Sequence, residues 1–117
     1  PQVFSELDEG RTAGRYPEAD DLQVPSGLLH ALTQTETPIA RIHEIGRQLR
    51  NDLQGPAVTL APGLETILTM DNESIVVSGS GPTVAILVED APAADELAAA
   101  LRRRGRHAVA TQTPAML

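Results

Sequence analysis

Apolar residues recur at two spacings along the chain, and each predicts a different kind of element. Val3, Phe4 and Leu7 step at helical intervals behind Pro1, a residue suited to the start of a helix, and predict a short helix over 2–8. Residues 9–26 are acidic and broken by Gly10, Gly14, Pro17 and Pro25, the composition of an exposed connection. A helix over 26–33 follows, with Ser26 as its cap and Leu28, Leu29 and Leu32 as its buried side. Thr37-Pro38 starts a longer helix. Its stripe of Ile39, Ile42, Ile45, Leu49 and Leu53 runs along one face until Gly55-Pro56 interrupts it. Residues 62–70 predict another helix, with Leu64, Ile67 and Leu68 inward and Asp71-Asn72 ending it. The clearest helix is 91–104, alanine-rich, with Ala94, Leu97, Ala98 and Leu101 along one face and Gly105 as its stop.

Between the last two helices the spacing changes. Val76-Val77 and Val84-Ala85-Ile86-Leu87-Val88 are short runs rich in β-branched residues, which read as buried strands. A last short strand is expected over 106–112. Strands paired through a turn, then helix, then strand, after a block of helices, describe an α+β domain with helices on one face of an antiparallel sheet. No internal repeat interrupts this order.

The turn between the first two strands, Ser78-Gly79-Ser80-Gly81-Pro82-Thr83, carries the chemistry. Gly79 and Gly81 permit positive φ and keep side chains out of the way of an approaching group. Such a loop can aim amide hydrogens at a phosphate. A P-loop is excluded, because it needs Gly-Lys and the chain contains no lysine. A dinucleotide fingerprint is excluded because proline and a strand follow Gly81 where a helix is required. A nucleophile elbow needs Gly-x-Ser-x-Gly, and Gly79-Ser80-Gly81 is too short. The plainer alternative is a tight turn that needs glycine and binds nothing.

Composition narrows the field further. A net charge of −7 makes nucleic acid an unexpected partner, and no apolar run approaches membrane-spanning length. No cysteine is present, and His30, His43 and His107 lie far apart in sequence, so no metal site is expected from this chain. All nine basic residues are arginine, which leaves no amine for general-base or Schiff-base chemistry. Arg102, Arg103, Arg104 and Arg106 gather at a helix C-terminus, where positive charge offsets the dipole.

Three segments, in order, resemble the GHMP kinases, the superfamily of homoserine, galactose and mevalonate kinases. Ser78 to Thr83 between two apolar strands resembles the third, C-terminal motif of that family. Leu49-Arg50-Asn51-Asp52-Leu53-Gln54, followed by Leu60-x-Pro62-x-Leu64, is similar to a segment of the branch that acts on 4-diphosphocytidyl-2-C-methyl-D-erythritol. Pro1-Gln2-Val3-Phe4-Ser5-Glu6-Leu7-Asp8 looks like the start of that branch's C-terminal half. Asp71-Asn72-Glu73-Ser74 departs from the alanines and glycines usual before the loop, and 20–39 has no matching pattern.

The resemblance implies a ferredoxin-like antiparallel sheet and a cytoplasmic enzyme of isoprenoid biosynthesis. It would move the γ-phosphoryl group of ATP to the 2-hydroxyl of that cytidine compound. It also implies that ATP, magnesium and the catalytic lysine and aspartate belong to an N-terminal half that is this chain's partner. Residues 1–117 would then be the C-terminal domain, inactive alone and with no catalytic residue of its own; the start at Pro1, without methionine, agrees with a piece of a longer enzyme. Ser78, Gly79, Ser80, Gly81, Pro82 and Thr83 would face substrate. Phe4 would stack on the cytosine ring, the plain alternative being a core phenylalanine. Asn51 and Asp52 would be structural, and Tyr16 a loop anchor. Two rival readings stay open: a GHMP kinase for another alcohol, and a stand-alone α+β module that binds a small ligand without catalysis.

Overall fold

A computed structural model describes residues 1–18, 26–33, 37–70 and 74–112. Among these described residues six helices and two strands follow in the order α1 (Gln2–Thr12), α2 (Ser26–Thr33), α3 (Pro38–Gln48), α4 (Gln54–Leu60), α5 (Leu64–Leu68), β1 (Ile75–Val77), β2 (Val84–Ile86) and α6 (Ala91–Arg103). The α+β class expected from the sequence is present.

α1 runs past residue 8 to Thr12, because Gly10, expected to break the chain, is buried inside the helix. The ring of Tyr16 lies where a Cβ on Gly10 would stand, and it also packs against Gly55 at the start of α4. Its hydroxyl is hydrogen-bonded to Glu6 Oε1 at 3.1 Å and Thr59 Oγ1 at 2.8 Å. Tyr16 thus anchors its turn to both helices, and α1 packs on α4.

Two of the three leucines of α2 face away from the expected side: Leu29 and Leu32 are 53% and 55% exposed, Leu28 is half-buried, and Ala31 is the buried residue. The reason is close packing on α3. A Cβ on Gly27 would meet Gln48 Nε2 at 2.8 Å, so the contact face is the small one, Gly27 and Ala31, one turn apart.

α3 starts as expected, with Thr37 Oγ1 accepting from the Ala40 amide at 3.4 Å. It stops at Gln48, short of the stripe extrapolated to Leu53, and Leu49 is extended. Asn51 competes with the helix there by taking the Leu53 amide on its own Oδ1, at 3.0 Å. Gly55-Pro56 breaks nothing. It falls in the first turn of α4, where a missing N–H leaves no helical bond unmade.

β1 and β2 form an antiparallel hairpin in the register Ile75↔Ile86, Val76↔Ala85, Val77↔Val84. Among the described residues this two-stranded sheet is the only one. Residues 106–112, expected as a strand, carry none. That segment turns back on α6 instead, with the Arg106 amide donating to Leu101 and Arg102 Nε donating to Ala108 O at 2.8 Å. α6 itself has Asp90 as cap, its Oδ1 accepting from Ala93 N at 2.8 Å, and ends at Gly105 with φ of 80°.

The core is small. Ala57, Leu64 and Val77 are its buried centre, with Val3, Val58, Ala61, Leu68 and Val84 packed around them. α1, α4 and α5 therefore rest on the hairpin, and the hairpin's turn emerges at the edge of that core. Ser74, where the sequence departs from the family pattern, is fully buried and donates to Ile42 O at 2.8 Å, tying α3 to the start of β1. Asp71-Asn72, expected to end α5, lies outside the described residues.

Candidate functional site

The strand registry closes immediately below the turn: the Ser78 amide donates to Thr83 O at 2.8 Å and the Gly81 amide to Ser78 O at 3.1 Å. Gly79 and Gly81 have φ of 59° and 74°, so both occupy the left-handed region that favours glycine, as the sequence required. Their surroundings differ. A Cβ on Gly81 would meet Val77 Cγ1 at 3.3 Å and Ala57 Cβ at 3.5 Å, so Gly81 is seated on the core. A Cβ on Gly79 would meet nothing within 4 Å. Gly79 is the open corner of the turn, and Gly81 is its foot.

Ser78, Gly79, Pro82 and Thr83 are exposed, and Ser80 and Gly81 are half-buried. The amides of Gly79 and Ser80 donate to no group among the described residues, and the hydroxyls of Ser78, Ser80 and Thr83 likewise have no partner there. The loop has no charged side chain, so what it offers a ligand is neutral N–H and O–H donors in a fixed arrangement.

That arrangement is held from outside the hairpin. Asn51 Nδ2 donates to both Val77 O and Gly79 O, each at 2.7 Å, spanning the entry to the turn. Three residues on, Gln54 Oε1 accepts from the Val77 amide at 3.0 Å. The structural role expected for Asn51 is present: its Oδ1 accepts from the neighbouring Leu53 amide, and its Nδ2 reaches partners 26 and 28 residues away. In the sequence the Asn51 segment and the glycine loop stand as two separate motifs. The side-chain types carried no sign that one braces the other.

Asp52 is tied to α1 by Arg11 at 3.1 Å and to Arg50 at 2.9 Å. These three residues, with Leu7, Tyr16 and Pro17, line a cleft of about 320 Å³.

Phe4 stands on α1 at 55% exposure, although Val3 packs on the core and Leu7 is buried. The core reading of Phe4 is therefore overturned: one turn of helix separates Val3 from Leu7, and Phe4 points out beside them. Phe4 and the glycine loop are on different elements, joined through α4 and the core. His30, His43 and His107 are all exposed, and among the described residues no group of three His, Asp or Glu side chains comes together to hold a metal ion. Arg102 and Arg103 occupy the last turn of α6, as the dipole argument expects.

Residues 28–107 match the family described as GHMP kinases C terminal. The chain is 40% identical to a 4-diphosphocytidyl-2-C-methyl-D-erythritol kinase of Corynebacterium jeikeium, over 98% of this chain and 33% of that protein. It is 42% identical to the kinase of the same name in Clavibacter michiganensis, over 86% of this chain and 33% of that protein. For Thermobifida fusca the identity is 39%, over 89% of this chain and 32% of the relative. The chain thus spans about a third of the length of the curated relatives it matches. Its glycine turn and most of its core fall within the matched span, and the chain belongs to the GHMP kinase C-terminal family.

Proposed function

We propose that residues 1–117 are the C-terminal domain of an ATP-dependent kinase that phosphorylates the 2-hydroxyl of 4-diphosphocytidyl-2-C-methyl-D-erythritol, a step of isoprenoid biosynthesis in the cytoplasm. The observation that carries this reading is the turn from Ser78 to Thr83, whose Gly79 and Ser80 amides and three hydroxyls have no partner among the described residues. Phosphoryl transfer relies on positioning and charge stabilisation, and prearranged donors of this kind suit a phosphate or diphosphate oxygen. The names of the relatives supply the substrate.

In this reading Ser78, Gly79, Ser80 and Thr83 contact phosphate oxygens, while Gly81 and Pro82 shape the turn. Phe4, open on α1, stacks on the cytosine ring, where a base–aromatic contact contributes about 1–3 kcal/mol. The N-terminal half of the enzyme is the partner that holds ATP and magnesium and supplies the reacting groups. The described residues themselves build no magnesium site, and the chain has no lysine to meet the transferred phosphate, so no chemical step is assigned to them. We further read the hairpin as part of a ferredoxin-like sheet. None of the described helices is long and apolar enough to cross a membrane.

The test is ADP release by the full-length protein with ATP, magnesium and either the cytidine compound or other alcohols such as homoserine, galactose and mevalonate. Turnover confined to the cytidine compound is expected. Preference for a simpler alcohol would move the assignment elsewhere in the family, and turnover of none would favour a binding module.

A further inference from the structure

We infer that Asn51 is a positioning residue for the glycine turn, and that the Asn51-Asp52 pair locks this turn and α1 into one fixed spatial relation. The inference rests on the reading of the turn as substrate-facing. Asn51 Nδ2 places one donor on each of two carbonyls, Val77 O and Gly79 O, at 2.7 Å. Those carbonyls belong to the last residue of β1 and to the open corner of the turn. Two amide hydrogens on one planar group fix the separation of the two oxygens. They therefore fix the peptide planes that orient the Ser78 and Ser80 amides.

The clamp cannot rotate away, because Asn51 Oδ1 is held by the Leu53 amide at 3.0 Å. The amide oxygen and nitrogen are thus assigned by their partners: donors go to carbonyls and the acceptor goes to an N–H. Aspartate has the shape for this site but lacks the two donors. Alanine lacks everything. Asp52, the next residue, accepts from Arg11 on α1 at 3.1 Å, so the segment that shapes the turn also holds the helix carrying Phe4. A substrate with a base at one end and a diphosphate at the other would need its two contacts at a fixed separation. This dipeptide is the covalent link between the two braces.

A turn held in this way affects the transition state more than ground-state affinity, since displacements of about 1 Å at a reacting group can lower rates on the order of 100-fold. The experiment compares wild-type full-length protein with Asn51→Asp, Asn51→Ala and Asp90→Ala. The last removes the cap of α6, an element away from the turn, and serves as a control of similar stability loss. Two readouts are taken: steady-state kinetics with ATP and the cytidine compound, and amide exchange at Ser78 and Gly81, whose hydrogen bonds close the turn.

For both Asn51 variants kcat is expected to fall roughly 10- to 100-fold with KM for ATP within about threefold, and exchange at Ser78 and Gly81 to accelerate. Asp90→Ala is expected to leave both unchanged. Near-wild-type kcat in Asn51→Asp, or an equal loss in Asp90→Ala, would overturn the inference. If wild-type protein turns over no alcohol, the kinase reading fails on its own terms. The exchange readout then still decides whether Asn51 sets the turn, and unchanged exchange would overturn that as well.

Discussion

Replacing Gly10 with alanine should destabilise the domain, although the substitution puts the better helix former into the middle of α1. Helix propensity alone favours alanine by about 1 kcal/mol. Against it stands the Tyr16 ring: the new Cβ would lie 2.1 Å from Cδ2 and 2.2 Å from Cε2. The ring can move only by giving up contacts it already makes. On its far side a Cβ at Gly55 would already lie 3.1 Å from Cε1, and the hydroxyl is pinned by Glu6 and Thr59. Expelling the ring forfeits a hydrogen bond to a carboxylate, about 1.5–3 kcal/mol, and a neutral one near 1 kcal/mol. Keeping it means backbone displacement, typically about 1–3 kcal/mol.

The cheaper route sets the cost, and after the gain in propensity is subtracted a net loss of up to about 2 kcal/mol is expected. Thermal unfolding followed by far-UV circular dichroism should show a fall of roughly 4 °C per kcal/mol for a domain of this size. The decisive comparison is the same substitution in a Tyr16→Ala background. There the clash is gone, and Gly10→Ala should stabilise by up to about 1 kcal/mol. A neutral or stabilising effect in the wild-type background, or the same loss in both, would refute the packing argument.

Other consequences follow from the turn and the helix ends. Gly81→Ala should cost more stability than Gly79→Ala: both place alanine at positive φ, a strain of about 1–2 kcal/mol, but only Gly81 also presses on Val77 and Ala57. Equal unfolding midpoints for the two variants would count against the distinction between foot and open corner. Asp90→Ala should lose about 1 kcal/mol through the missing bond to the Ala93 amide, read as a lower midpoint in urea, and Asp90→Asn should recover most of it. The Glu44 carboxyl is held below its ordinary range by its hydrogen bond to Arg47. A lowered folded pKa means that this small contribution is complete above the unfolded pKa and fades as pH falls through the folded one. The Glu44 side-chain resonance should therefore titrate below the usual glutamate range and return to it in Arg47→Ala; identical midpoints would contradict the pairing.

Local signals in the sequence were read well wherever local chemistry decides the structure. The bounds of α2, the Thr37 cap, the Gly105 stop and the positive φ of Gly79 and Gly81 all follow from residue type and position. Errors arose where a distant partner decides. Gly10 reads as a breaker until Tyr16 is seen against it, and Leu29 and Leu32 read as core until Gly27 and Ala31 are seen to make the closer contact. The stripe through Leu49 and Leu53 is periodic, yet Asn51 ends the helix by bonding the Leu53 amide. The motif at the turn was legible, but its brace was not, because Asn51 and Gly79 are joined only by the fold.

The central claim is that the Gly79 and Ser80 amides, unpaired within the described chain, are donors to a ligand's phosphate oxygens. The most direct measurement is two-dimensional 1H–15N NMR of the full-length protein, labelled at glycine and serine, during titration with 4-diphosphocytidyl-2-C-methyl-D-erythritol. The account predicts saturable downfield shifts of the Gly79 and Ser80 amide protons, with Gly105, at the far end of α6, unmoved. Saturable binding detected at other resonances while Gly79 and Ser80 stay in place would contradict it.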